Sequence, residues 1–163
     1  CEEEIIRKEI MKVSKNIINK IQKYDIFLPK KEIFNKSVYE QYKNVHIVEH
    51  LDKLLEIIAS EYPEIYPYYE RKIKKGNKIY PLNMFIMKKK YFFEYSEFIF
   101  DVLFKLEKKI KIPLDTYQKR VFGFLSERMM LPFIEYLKDK KNVRVKEGIV
   151  LYLNRKEKNE GDI

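Results

Sequence analysis

Apolar residues recur at spacings of three and four along much of the chain, which is the period of an amphipathic helix. Four stretches keep this period and predict helices over residues 4–23, 47–61, 91–110 and 115–131. Two shorter helices are predicted beside them, one capped by Ser37 and one that follows Pro67 and stops at Gly76. The pattern therefore predicts a mainly helical chain.

Pro132 lies at the end of the last of these helices and changes its expected course. Asp115 can cap the beginning of this helix, whereas Pro132 has no N–H with which to bond the carbonyl of Arg128. We expect the helix either to stop near Leu131 or to kink and continue to about Lys138.

Three further apolar runs are bounded by turn residues and predict extended chain. Residues 25–29 end in a proline, residues 79–87 have a buried strand as their core, and residues 143–153 can form a hairpin around Gly148. Short strands among several amphipathic helices define an α+β fold that is predominantly helical.

The composition fits one globular domain, because 163 residues that are 45% hydrophobic can bury a sizeable core. We expect residues 1–163 to form a single domain with a frayed tail over residues 154–163. The initial Cys1, in place of a methionine, suggests a fragment of a longer protein. A single cysteine excludes an internal disulfide and fits a reducing, cytoplasmic compartment.

The net charge of +9 raises the question of an anionic partner. The chain is also rich in Lys, Ile, Asn, Tyr and Phe, which is the bias expected of an AT-rich coding sequence. We therefore disfavour nucleic acid as a partner. Two uses of the charge stay open: a non-catalytic basic helical binding module, and peripheral contact with an anionic membrane surface.

Three charged residues of the last helix have no opposite charge three or four positions away: Arg120, Glu127 and Arg128. A desolvated charge without a partner costs several kcal/mol, so the partners come from another segment or from a polar ligand. Asp52 is a candidate partner, because it has no cation at helical spacing either. A buried Arg–Glu network that holds helices together is the alternative.

His46, Glu49 and His50 fit the pattern H-x-x-E-H, in which two histidines on one helix face hold zinc and the glutamate acts as a base. Glu127 could supply a third, distant ligand. A zinc hydrolase is therefore an alternative function. In the other interpretation, one histidine orients the helix and the other is solvated.

Asn83 is the polar side chain within the extended run 79–87. Its amide can bind vicinal sugar hydroxyls as well as a backbone carbonyl. The chain has no glycine-rich phosphate loop and no D-x-D pair, and the latter commonly holds Mn²⁺ or Mg²⁺ in sugar-nucleotide transferases.

Several segments together resemble one family of proteins. They are DIFLPKK at 25–31, YKNVHIVEHLD at 42–52, NMFIMK at 83–88 and YQKRVFGFLSER at 117–128. These segments resemble the C-terminal part of bacterial capsular-polysaccharide and exopolysaccharide glycosyltransferases, a family long catalogued as a domain of unknown function. The resemblance covers most of residues 15–137.

The resemblance implies the C-terminal part of a GT-A-like glycosyltransferase, which transfers a sugar from a nucleotide-sugar donor, a UDP-sugar, to a surface polysaccharide. Glu127 would act as a base or orient the sugar, and Arg120 and Arg128 would pair with the diphosphate or with an orienting acid. The remaining implied contacts are to sugar hydroxyls, from His46, Asp52 and Asn83.

Members of this family usually begin with a longer N-terminal half that resembles a nucleotide-sugar-binding domain. That half is not part of residues 1–163. We therefore expect no metal ligand in this chain and assign any Mn²⁺ or Mg²⁺ to the N-terminal half. The resemblance leaves open whether the chain is active alone, and it implies a cytoplasmic location at the inner face of the membrane.

Overall fold

The computed structural model describes residues 23–150 and, before them, residues 4, 5, 7, 8, 10–12, 15 and 18. Most of the helix predicted over 4–23 lies outside the described residues. The end of the predicted hairpin and the tail predicted to fray, residues 151–163, also lie outside them.

Five α-helices form most of the described structure. Their bounds are α1 Val38–Val45, α2 Val48–Glu61, α3 Tyr66–Tyr69, α4 Lys89–Glu107 and α5 Val121–Lys141. A π-helical turn, Glu70–Lys75, continues α3, and a 3₁₀ turn, Gln118–Arg120, precedes α5. Ser37 caps α1 as predicted, since its Oγ accepts a hydrogen bond of 3.2 Å from the backbone N–H of Glu40.

Five short strands complete the fold and form two sheets. Their bounds are β1 Ile26–Pro29, β2 Glu32–Ile33, β3 Lys78–Ile79, β4 Ile86–Met87 and β5 Val145–Gly148. One sheet has the order β4-β1-β5, and the other pairs β2 with β3 in antiparallel fashion. The predicted fold class, α+β and predominantly helical, is confirmed.

Two predictions about the strands are wrong. The extended run 79–87 is interrupted, because β3 and β4 are separated by a turn in which Leu82 and Asn83 have positive φ. The turn predicted around Gly148 is also wrong, because Gly148 is the last residue of β5, which pairs with β1 in parallel, with Val145 opposite Ile26. Strand β4 lies on the other side of β1 and is antiparallel to it.

Helix α5 runs through the centre of the core and is buried on most of its sides, as its apolar character predicts. It begins at Val121, later than predicted, because Asp115 caps the preceding turn through bonds from the N–H groups of Tyr117 and Gln118. It continues through Pro132 to Lys141 and does not stop near Leu131, which was the first of the two predicted courses.

Gly76 ends the π-helical turn at a place where a side chain has no room. A Cβ at this position would lie 2.5 Å from the carbonyl oxygen of Lys72. The predicted stop at Gly76 is confirmed, and Gly76 has an extended backbone with φ −83° and ψ 158°. Among the described residues, no helix is both long and apolar enough to cross a membrane.

Candidate functional site

The turn between β3 and β4 contacts the first turns of α5, and this contact brings several of the predicted site residues together. Leu82 and Asn83 have φ values of 69° and 50°, which are uncommon for residues with a side chain. The N–H of Leu82 donates a hydrogen bond of 3.1 Å to Oε1 of Glu127. A strained turn held by a carboxylate is the kind of feature that accumulates at functional sites.

Asn83 fastens the same turn to α5 through its amide. Its Nδ2 donates to Oγ of Ser126 at 2.8 Å and, more weakly, to the carbonyl oxygen of Gly123 at 3.5 Å. The Ser126 hydroxyl in turn donates to the Gly123 carbonyl at 2.8 Å. Within the described part of the chain, Oδ1 of Asn83 accepts no hydrogen bond, so the amide keeps a free acceptor.

Glu127 and Arg128 form an ion pair that links the surface to the interior. Nη1 of Arg128 lies 3.1 Å from Oε2 of Glu127, and the two side chains are 5% and 25% exposed. Burial lowers the pKa of Arg128, while the carboxylate of Glu127 raises it, and the guanidinium stays charged. Glu127 therefore faces the surface with a buried cation directly behind it.

Arg128 makes its other contacts inside the protein. Nη1 donates to the carbonyl oxygen of Phe124 at 3.0 Å, and Nη2 donates to Oε1 of Gln41 at 2.9 Å. The guanidinium also lies over the ring of Tyr42, at 5.3 Å from its centroid. Nε is buried and has no partner among the described atoms. The charge is thus held by one carboxylate, two neutral acceptors and one aromatic face.

His46 lies beside this ion pair in a group of aromatic rings. Its ring stacks on Phe124 at 4.1 Å and on Tyr117 at 5.7 Å, measured between centroids. Burial, and then the positive charge of Arg128, lower the pKa of His46. Both effects favour the neutral imidazole. The guanidinium of Arg120 lies over the outer face of Phe124, 5.4 Å from the ring centroid.

The zinc interpretation of His46, Glu49 and His50 lacks its required geometry. His46 has an extended backbone and ends α1, whereas His50 lies within α2, so the two histidines do not share one helix face. His50 is buried among the described residues, and this burial lowers its pKa. No group of three or more His, Cys, Asp or Glu side chains in the described ranges is placed to hold a metal ion.

Asp52 lies apart from the other predicted site residues. Its Oδ1 accepts a hydrogen bond of 2.9 Å from the hydroxyl of Tyr39. The expectation that Asp52 pairs with Arg120 or Arg128 is wrong, because Gln41 and Glu127 occupy the Arg128 guanidinium and Arg120 forms no ion pair within the described residues.

Several residues of the site were not predicted from the sequence, among them Leu82, Ser126 and Gln41. Ser126 carried a weak signal, since it is a polar residue inside an apolar helix. Gln41 carried none, because its contact with Arg128 joins residues 87 positions apart and follows only from the packing of α1 on α5.

Comparisons with known proteins agree with this structure. The profile of the family described as domain of unknown function (DUF4422) matches residues 2–140. The apo structure of the bifunctional glycosyltransferase WbbM is 30% identical in sequence, with a TM-score of 0.72, over 76% of this chain. The chain spans only 23% of the WbbM chain. No curated protein matches it. Because the profile covers most of its length, the chain belongs to the DUF4422 family.

Proposed function

We propose that this chain is part of a glycosyltransferase that transfers a sugar from a nucleotide-sugar donor, a UDP-sugar, to a surface polysaccharide. The observation that carries the proposal is its likeness to WbbM, at 30% identity and a TM-score of 0.72. The turn and helix that hold Asn83 and Glu127 support it, because they bring a carboxylate and an amide together beside the 3₁₀ turn that carries Lys119 and Arg120.

Glu127 is the proposed base, or the group that orients the reacting sugar. A carboxylate that takes a proton from an acceptor hydroxyl must be ionised and fixed in direction. The Leu82 N–H holds Oε1 and the Arg128 guanidinium holds Oε2, so these two contacts fix the direction of the carboxylate. Each oxygen keeps a further lone pair for a hydroxyl. In this proposal Arg128 is a positioning residue, since its contacts are internal.

The departing diphosphate needs positive charge, because negative charge develops on it as the glycosidic bond breaks. Arg120 is the proposed partner, since it is exposed and forms no ion pair in the described part of the chain. Asn83 and His46 are proposed to contact sugar hydroxyls, and so is Asp52, although its carboxylate already binds Tyr39. The proposal assigns any Mn²⁺ or Mg²⁺ to residues outside this chain.

The proposed acceptor is a capsular polysaccharide or exopolysaccharide chain. We place the reaction in the cytoplasm, at the inner face of the membrane. The net charge of +9 supports peripheral contact with anionic lipid headgroups, which attract lysine-rich surfaces.

Replacing Glu127 with Gln in the full-length protein tests this function. Loss of the base should lower the rate of sugar transfer by about 10²- to 10⁴-fold, while the far-ultraviolet circular dichroism spectrum stays unchanged. Glu56→Gln is the matched control, because Glu56 is exposed on α2 and its one ion pair among the described residues is with Lys53. Release of UDP from UDP-glucose, UDP-galactose and UDP-N-acetylglucosamine, with acceptor glycan present, is the measurement.

Two results would contradict the proposal. Full transfer activity in Glu127→Gln would remove the role given to this carboxylate. If the wild-type protein turned over none of the three donors, the assignment as a UDP-sugar transferase would be wrong.

A further inference from the structure

Gly123 occupies the first turn of α5, at a place where the fold does not require a glycine. A Cβ at this position would meet no atom within 4 Å in the described structure, and the backbone φ of Gly123 is not positive. Gly148 contrasts with it, since a Cβ there would lie 2.3 Å from the ring of Phe27. Alanine in place of an exposed helical glycine stabilises a helix by up to about 1 kcal/mol.

The open space above Gly123 is surrounded by polar groups. Ser126 and Glu127 lie three and four positions after Gly123 and share its face of α5, and the 3₁₀ turn just before the helix carries the polar residues Lys119 and Arg120. The free Oδ1 of Asn83 belongs to the same surface, because its Nδ2 bonds Ser126 and the Gly123 carbonyl. A bare patch of backbone is therefore framed by hydrogen-bonding side chains.

The charges around this patch are not balanced within the protein. Glu127 is paired with Arg128, but neither Lys119 nor Arg120 has a carboxylate within ion-pair distance among the described residues. The side of the patch toward the beginning of α5 thus carries two free cations, and the other side carries an oriented carboxylate. A ligand that fits has an anionic group at one end and hydroxyls at the other.

We propose that the sugar ring of a glycosyl diphosphate lies directly against the backbone of Gly123, with its diphosphate toward Lys119 and Arg120 and its hydroxyls toward Glu127 and Asn83. This subsite rests on the proposed function and adds to it a specificity-determining residue, Gly123. Positions 120 and 127 are roughly 10 Å apart along the helix axis, so the cation and the carboxylate belong to opposite ends of the patch. A methyl group at position 123 would occupy the place of the ring.

The test uses the opposite effects that Gly123→Ala should have on stability and on binding. In the full-length protein we expect a higher melting temperature, since alanine favours the helix. We also expect the KM for the UDP-hexose that the wild type turns over to rise about tenfold, the equivalent of about 1.4 kcal/mol of lost binding. Lys140→Ala, an exposed change near the other end of α5, should leave KM unchanged.

Each outcome distinguishes this subsite from the function on which it rests. A higher melting temperature with an unchanged KM would show that no ring lies on Gly123, and the subsite would be wrong. A lower melting temperature would show that the space is not open, with the same consequence. If Glu127→Gln loses activity, the proposed function stands, whichever melting temperature and KM the Gly123→Ala variant shows. An inactive wild type would overturn both the subsite and the proposed function.

Discussion

At the scale of single residues, the site depends on a backbone conformation that side chains usually disfavour. Asn83 has a φ of 50°, and asparagine tolerates this region better than most residues. Leu82 has a φ of 69° without that advantage. The hydrogen bonds from the Leu82 N–H to Glu127 and from the Asn83 amide to Ser126 offset the cost. The strained turn and the proposed base therefore stabilise each other.

Two substitutions at Asn83 should separate the stability that the hydrogen bond to Ser126 provides from the cost of the positive φ. Asn83→Gly removes the bond to Ser126 but suits the positive φ, whereas Asn83→Ala removes the same bond and adds strain. We expect the alanine variant to be less stable than the glycine variant by about 1 kcal/mol in urea denaturation. Equal stabilities, or a more stable alanine variant, would contradict the positive φ.

At the scale of elements, α5 continues through a proline that removes one of its backbone hydrogen bonds. Pro132 cannot donate to the carbonyl of Arg128, and the ladder is weakened at this turn. The hydroxyl of Tyr69, which is fully buried, donates to the carbonyl of Met129 at 2.7 Å. Helix α3 thus supplies a hydrogen bond beside the proline, and α5 continues for nine residues beyond it.

The free energies of unfolding of two tyrosine variants should show how much the Tyr69 hydrogen bond stabilises the protein. Tyr69→Phe leaves the Met129 carbonyl without the hydroxyl and should lower the free energy of unfolding by about 1–2 kcal/mol. Tyr95→Phe is the matched control, because the Tyr95 hydroxyl is also buried but has no partner among the described residues. It should be neutral or stabilising. Equal losses in the two variants would show that the Tyr69 bond is unimportant.

At the scale of the whole molecule, Asp25 joins three separate segments. Its backbone accepts from the N–H of Lys88 and donates to the carbonyl of Arg144, and its carboxylate accepts from Lys88 Nζ at 2.7 Å and from the Arg144 N–H at 2.9 Å. The hydrogen bond from Lys88, with those from Arg144, lowers the pKa of Asp25 to about 2, although burial raises it. The carboxylate therefore holds β1, β4 and β5 together.

This carboxylate should make stability depend on pH. The folded pKa of about 2 is below the ordinary value of 3.8, so the contribution is complete above about pH 5 and is lost as the pH falls through 4 toward 2. We expect on the order of 1–2 kcal/mol, since both cationic partners are partly exposed. Asp25→Asn should flatten the urea stability profile between pH 5 and pH 2, and Glu56→Gln should not. An unchanged slope in Asp25→Asn would contradict the assignment.

Several parts of the fold could be predicted because their causes are local. Ser37 caps α1 through a residue three positions away, and the apolar period that predicts α2 lies within that helix. The course of the chain near Leu82 could not be predicted in this way, because the positive φ is held by Glu127, 45 positions later. The parallel pairing of β5 with β1 likewise joins positions 119 apart.

The candidate site likewise has features that follow from the local sequence and features that follow only from tertiary packing. The sequence by itself determined that Arg120, Glu127 and Arg128 have no opposite charge at helical spacing, since charge spacing on a helix is a local property. The expectation that all their partners lie in other segments or in a ligand is wrong, because Glu127 and Arg128 pair with each other. Only the tertiary structure decided which partners these are, because Gln41, Leu82 and Asn83 reach α5 through the packing of distant segments. The tertiary structure also decided that Arg120 has no ion pair and that the space beside Gly123 is open. Within the described structure, no other segment brings a carboxylate to Arg120 or an atom within 4 Å of a Cβ at position 123.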